Sequence, residues 1–375
     1  YLIVFVLFSF RIQASTMKME DPRVLLISSY SPIKEEGNRM ITSFITHLRG
    51  NADVAVSVEY MDSEASPTFE DWAGWMLQLF EAYKQQPEMV VLLGNEAWSA
   101  YRATCPESWR DTPVVLGCMK GIFIDFEHLP TLKMFGMETM KPTKESFGDF
   151  KVTGYAFRDF LLDNFKLIKK LNPRIRHVAF CYDNRYNISF FEEYLNSLCD
   201  QVDSLDLCYL DGGKLSTQQL LDSISQMDDS YALLSGGWYT DAVQYPHAHS
   251  MLHNELPHQT SMSIFQSLDQ GKTNMNFIGG YYISGEEMGK DLASLAHSVL
   301  TKGISGSPEF QYTPSRPRYY INYPTFMEAS LKLSSLPEGT IFYNKTPSLW
   351  EQHSLEIILL VCLIILMIVI FYGIL

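Results

Sequence analysis

An alternation limits the possible folds of this chain more than any other feature. Short, continuously apolar or β-branched runs recur along residues 22–302, and amphipathic stretches fill most of the intervals between them. Continuously apolar runs suit strands covered on both faces, and strands alternating with helices are the pattern of parallel βαβ units. In the first half, strands are predicted at Val24–Ser28, Val54–Met61, Met89–Leu93, Pro113–Cys118 and Lys133–Met137, and helices at Glu36–Arg49, Thr68–Gln85 and Glu96–Thr104. Within the second helix, Phe69, Trp72, Trp75, Met76, Leu79 and Phe80 recur at spacings of three and four, which places them on one buried face. After Asn172-Pro173 a second series predicts strands at His177–Tyr182, Leu205–Leu210, Ala232–Ser235, Thr260–Phe265 and Phe277–Tyr282. Its helices are expected at Val152–Leu171, Ile188–Cys199, Thr217–Met227 and Gly285–Thr301.

Two successive α/β series in one chain imply two similar lobes. The expected fold class is therefore α/β, with two doubly wound lobes of parallel strands: lobe 1 over 22–140, lobe 2 over 141–285, and a return helix and connector over 286–354. Pro130–Ser146 reads as the first crossover between lobes, the helix from Gly285 as the return, and Ser307–Pro324 as a linking segment. With 375 residues, 46% of them apolar and 19% charged, the chain is long enough for two cores and is not disordered in composition. Subtracting 43 acidic from 29 basic residues gives a net charge of −14, and no basic stripe extends beyond Lys169-Lys170, so nucleic acid is not an expected partner.

From Ile357 to Leu375 every residue is uncharged and almost all are apolar. At 1.5 Å per residue this run reaches roughly 28 Å, enough for a transmembrane helix. Tyr1–Phe10 is a second apolar run, followed by Arg11 and Ala14-Ser15, and residues 1–15 read as a truncated signal sequence or first anchor. Residues 16–354 are then expected outside the cytoplasm, with the chain a fragment of a longer protein. The six cysteines form no C-x-x-C pair. Cys118, Cys181 and Cys208 fall in predicted strands, and Cys199 with Cys208 is the pair nearest in sequence, although spacing alone assigns no disulfide. His247, His249, His253 and His258 are the densest ligand-like cluster, but Pro246 and Pro257 bound what reads as an exposed helix. No metal or cofactor is expected.

The run Val24-Leu25-Leu26-Ile27-Ser28-Ser29-Tyr30-Ser31-Pro32, followed by a helix, together with Leu92-Leu93-Gly94-Asn95-Glu96-Ala97-Trp98, resembles a known family. So does Leu336-Pro337-Glu338-Gly339-Thr340-Ile341, followed by Asn344-Lys345-Thr346-Pro347-Ser348-Leu349-Trp350-Glu351-Gln352. The chain resembles the periplasmic-binding-protein-like sensor region of bacterial two-component histidine kinases, which is related to the substrate-binding proteins of ABC transporters. The resemblance implies a periplasmic-binding-protein type I-like fold, a small-molecule ligand, a homodimer in the bacterial inner membrane, and a cytoplasmic kinase module acting on a response regulator if the chain continues. Ile33-Lys34-Glu35-Glu36 departs from the aromatic-rich turn that the family carries after its first Ser-Tyr.

Ligands of open parallel sheets lie outside the carboxyl ends of the strands, where loops and helix N-termini offer free N–H groups. That rule singles out Ser29, Tyr30, Ser31, Asp62, Asn95 and Glu96 in the first lobe, and Asp183, Asn184, Trp238, Tyr239 and Tyr281 in the second. Each of them alone also fits a helix cap or turn residue. Two rivals to a sensor remain: a membrane-anchored solute-binding protein serving a transporter, and an exported hydrolase using Asp62, Glu96 or Asp183. No G-x-S-x-G, Walker or G-x-G-x-x-G motif favours an enzyme. Trp350 reads equally as an interfacial anchor and as juxtamembrane packing.

Overall fold

The computed structural model describes residues 23–32, 35–65, 68–83, 85–124, 140–183, 191–243, 252, 255–256, 258–271, 277–304, 310–347 and 349–374. Strand β1 (Val24–Ser28) is buried along its whole length, as its unbroken apolar sequence requires. It lies between β2 (Val56–Tyr60) and β3 (Met89–Leu93), with β4 (Val114–Lys120) beyond β3, all parallel. The crossovers are α1 (Glu35–Asn51), α2 (Phe69–Ala82) and α3 (Asn95–Thr104). Helix α2 starts where the Thr68 side chain accepts a hydrogen bond from the Asp71 N–H, and it buries Trp72, Met76 and Leu79 on one stripe. An antiparallel ribbon of β5 (Ile122–Ile124) and β6 (Met140–Pro142) follows. The predicted strand Lys133–Met137 lies outside the described residues.

Here the structure corrects the sequence reading. Val152–Leu171 is not one helix: β7 (Val152–Phe157) joins the first sheet beside β4, and α4 (Leu161–Leu171) begins only after it. The strand depends on Gly154, because a Cβ there would sit 2.4 Å from the Leu116 carbonyl oxygen. The first crossing between lobes is consequently residues 158–160, not Pro130–Ser146, and a boundary at 140 does not coincide with the division between sheets.

The second sheet is assembled from β8 (His177–Tyr182), β9 (Asp206–Asp211), β10 (Tyr231–Ser235), β11 (Ser263–Gln266) and β12 (Gly279–Tyr282), with α5 (Phe191–Cys199) and α6 (Thr217–Ser225) as crossovers. Helix α6 opens with a reciprocal capping box between Ser216 and Gln219. From β12 the chain returns through α7 (Gly285–Lys302), whose Leu292, Ala293, Ala296 and Val299 share a core with Met40, Ile41, Phe44 and Leu48 of α1. The two helices cross so closely that a Cβ on Gly289 would meet the Met40 carbonyl oxygen at 2.4 Å.

Ser307–Pro324 is more than a linker, because it contributes a strand to each sheet: β13 (Phe310–Tyr312) pairs with β7, and β14 (Arg318–Asn322) runs antiparallel to β12. After α8 (Tyr323–Glu328), β15 (Ile341–Tyr343) pairs parallel with β14. The sheet orders are β13-β7-β4-β3-β1-β2 and β15-β14-β12-β11-β10-β8-β9. Helix α9 (Leu349–Ile374) is interrupted by non-helical backbone at His353, and its stretch Gln352–Gly373 is long and apolar enough to cross a membrane. All six cysteines are free, and the Cys199 thiol donates to the Leu205 carbonyl at 3.2 Å.

Candidate functional site

Three segments join the lobes, and each meets both sheets at their carboxyl edges. The first leaves β7 for α4 and the second leaves β12 for α7. The third leaves β13 for β14, whose antiparallel register puts Arg318 opposite Tyr282, the last residue of β12. A direct contact shows that these edges face each other. Arg39, in the second turn of α1 after β1, places its Nη1 2.9 Å from Oδ1 of Asp269, which follows β11 in the other lobe. The Asp269 carboxylate also accepts the N–H groups of Gly271 and of Gly285 at the start of α7. Its side chain is only 3% exposed, so those backbone donors and Arg39 replace the water it has lost. Around the crossings, the Arg158 guanidinium lies 4.3 Å from the Tyr312 ring centroid, and Asp291 accepts from the Thr313 hydroxyl and the Ser315 N–H.

The residues anticipated from sequence divide into two groups. Ser29 is fully buried: its Oγ accepts the Ala97 N–H at the start of α3, and its carbonyl accepts both the N–H and the hydroxyl of Ser63. It ties β1 to the turn after β2 and to α3, and has no surface for a ligand. Trp238 is likewise a core residue, fully buried beside Leu210, Leu220 and Leu256, with its indole N–H donated to the Thr217 hydroxyl. Glu96 is 8% exposed, in the first turn of α3. Tyr281 packs its ring against Phe160 and Tyr319, and its backbone exchanges hydrogen bonds with the Asn164 amide of α4. Burial there raises the Tyr281 hydroxyl pKa.

Five residues keep exposed surface in segments just beyond strand ends: Tyr30 and Ser31 after β1, Asp62 after β2, Asp183 after β8 and Tyr239 after β10. Asn95 opens α3 directly after β3, and its side-chain oxygen is buried with no partner. The Asp183 carboxylate accepts the Thr240 hydroxyl, so the turns after β8 and β10 hold each other. Asn184 lies outside the described residues, as do all the clustered histidines except the exposed His258. Asp62 and Glu96 stand in the first lobe and Asp183 in the second, each within its own turn or helix start.

Residues missed from the sequence surround the end of β11. Gln266, fully buried, donates its amide to the Tyr282 hydroxyl at 2.8 Å, while its side-chain oxygen has no partner. Burial raises the Tyr282 hydroxyl pKa well above the usual tyrosine range. Gln270 donates to the carbonyl and hydroxyl of Ser235 at the end of β10. The strand-end rule that selected Asp183 also covers Asp269 and Gln270, but no local pattern marks Arg39 among the other charges of α1. A cavity of about 20 Å³ between Met40, Cys118, Tyr155, Met288 and Thr313 has room for one water and none for a solute. The part-exposed Tyr30, Ser31, Asp62, Asp183 and Tyr239 beyond the facing strand ends carry hydroxyl and carboxylate groups, which suit hydrogen bonding to a small polar molecule.

No family model matches the chain, and no curated protein matches it. Solved structures do. At a TM-score of 0.57 and 16% identity, the chain is similar over 85% of its length to 99% of an ABC domain from Streptococcus pneumoniae in complex with L-Trp. A conserved domain protein from Vibrio cholerae matches at a TM-score of 0.56 and 12% identity, covering 86% of this chain and 100% of that one. A substrate binding protein with adhesive properties from Clostridium difficile, in its ligand-free, open form, matches at a TM-score of 0.52 and 9% identity, covering 86% and 99%. The fold is that of the periplasmic-binding-protein-like proteins, two parallel-strand α/β lobes, here followed by an apolar C-terminal helix.

Proposed function

We propose that this protein binds a small polar solute between its two lobes, outside the cytoplasm, and that α9 anchors it in a bacterial inner membrane. The observation that carries the reading is the apposition of the carboxyl edges of both sheets, joined by three crossings and bridged by Arg39 and Asp269. Tyr30, Ser31, Asp62, Asn95, Asp183 and Tyr239 would supply the contacts. A solute bound more tightly by one lobe arrangement than by another shifts the balance between them. Only five residues, 344–348, separate β15 of the second lobe from α9, which favours a sensor that passes this shift to the membrane helix. In a sensor histidine kinase, the receiver of that shift would be a cytoplasmic kinase module in a homodimer, acting on a response regulator. Delivery of solute to an ABC transporter is the second reading, favoured by the L-Trp-bound ABC domain of the same fold.

A melting-temperature screen of the full chain in lipid nanodiscs tests the binding claim, with amino acids first and then sugars, nucleosides and organic acids. A hit is expected, and it should weaken with Tyr30→Ala and Asn95→Ala. Flat melting temperatures across all classes would remove the claim. A spin label at the cytoplasmic end of α9 then separates the two readings: a sensor changes its spectrum with solute, and a transport protein does not.

A further inference from the structure

The second lobe has a pole that faces away from the first, and its residues are of the kind found at a lipid surface. Because β14 runs antiparallel to β12, its last residues lie beside Ile278 and Gly279, at the edge of the sheet opposite the crossings. Helix α8 starts there, and β15, parallel to β14, ends there with Tyr343 beside Asn322. At this pole Tyr323 packs edge-on against Phe342, with 5.5 Å between ring centroids, and the Lys345 ammonium lies 5.8 Å from the Tyr323 ring centroid. Met327, one helical turn after Tyr323, is 45% exposed. Ile341 and Tyr343 turn toward the Tyr282 and Tyr320 rings, so Phe342 points to the other side of the edge strand β15.

The chain then has little length in which to leave this pole. Lys345 is held over Tyr323, and α9 begins at Leu349, four residues on, a reach of at most about 14 Å. The apolar stretch Gln352–Gly373 is 22 residues long, or about 33 Å, and none of it is buried against the lobes. Trp350, 57% exposed, lies between the pole and that stretch. Aromatic rings, a flexible thioether and a lysine with a long aliphatic stem are suited to the boundary between headgroups and hydrocarbon.

We propose that the surface made by Tyr323, Met327, Phe342 and Lys345 rests on the bilayer that α9 crosses, so that the second lobe is seated on lipid instead of swinging on a tether. This inference rests on the reading of α9 as membrane-spanning. Its functional consequence is positional: seating fixes how the second lobe is oriented to the membrane, so a solute-driven change in lobe angle acts on α9 through a lobe that does not tumble on its connector.

The test is photocrosslinking of the full chain in lipid nanodiscs, with benzoylphenylalanine placed singly at Met327, Phe342, Ile364 or Leu77. Leu77, on α2 of the first lobe, is 51% exposed and serves as the aqueous control, while Ile364 lies within α9. The expected result is a lipid adduct at 327 and 342 severalfold above that at 77, together with a strong adduct at 364. If 364 labels lipid while 327 and 342 stay at the level of 77, the seating is overturned and the spanning helix stands. No lipid adduct at 364 overturns the membrane reading and the seating with it. Adducts from 327 or 342 to a second copy of the chain overturn the seating in favour of pairing between edge strands. Met327 is exposed, so its variant decides the matter if the change at Phe342 prevents folding.

Discussion

The first sheet is parallel throughout and closes on β13, whereas the second reverses direction at β14 and adds β15 before the chain departs for α9. The strands β13 and β14 are neighbours in sequence and belong to different sheets. Arriving from the first lobe, the chain reaches the second sheet at its carboxyl edge, and the only way along that sheet is antiparallel. The reversal has a consequence that two parallel halves would not produce. It carries the chain to the far pole of the second lobe, so the apolar helix α9 starts there and not beside the crossings. Among the described residues, the second lobe is thereby the one directly connected to α9.

Four substitutions probe this difference, from the largest effect downward. Trp238→Ala empties a site in the core of the second lobe and should cost about 3–5 kcal/mol in denaturant unfolding. Faster hydrogen exchange is expected in the second sheet alone, and equal loosening of the first sheet would mean that the lobes unfold as one unit. Gly289→Ala should cost about 1–3 kcal/mol, because the new Cβ forces α7 away from α1. Although α7 follows a strand of the second lobe, the lost exchange protection should fall in α1 and the first sheet. Loss in the second sheet instead would contradict the placement of α7.

Arg39→Ala removes the cation that joins the lobes and leaves Asp269 with its two backbone donors, so a loss of about 1–3 kcal/mol is expected. Small-angle scattering should report a wider particle; unchanged scattering and stability would show that the crossings alone set the lobe angle. Glu88→Gln touches a half-exposed pair within the first lobe and should cost less than about 1 kcal/mol. The Arg23 hydrogen bonds hold the Glu88 carboxyl below its ordinary value of 4.5. Its contribution is therefore present above that value and lost as pH falls through the lowered one. The melting-temperature difference between parent and variant should shrink on acidification, and a constant offset would show that the pair contributes nothing through charge.

The strands were the most legible part of this molecule. Val24–Ser28, Met89–Leu93 and His177–Tyr182 are strands with the limits that their apolar runs suggest, because a short unbroken hydrophobic run between turn residues has few other places to go. Val152–Phe157 resisted the same reading because it abuts the amphipathic Leu161–Leu171 with no Gly or Pro between them, and Thr153 and Gly154 break its apolar run, so no clear strand pattern set it apart from the helix. The candidate site was legible in outline. Strand ends located Tyr30, Asp62, Asn95 and Asp183, but exposure separated them from Ser29 and Trp238, and exposure depends on which other elements pack nearby.

By itself the amino-acid order determined the two α/β series, the return helix at Gly285 and the apolar helix at the end, since each follows from hydrophobic periodicity over a few consecutive residues. The tertiary structure alone decided that β7 joins the first sheet, that β13 and β14 part company, and that Arg39 meets Asp269. Each of these is a pairing between groups distant in sequence. Its free energy comes from an open sheet edge or a buried opposite charge on another element, and no local pattern carries that information.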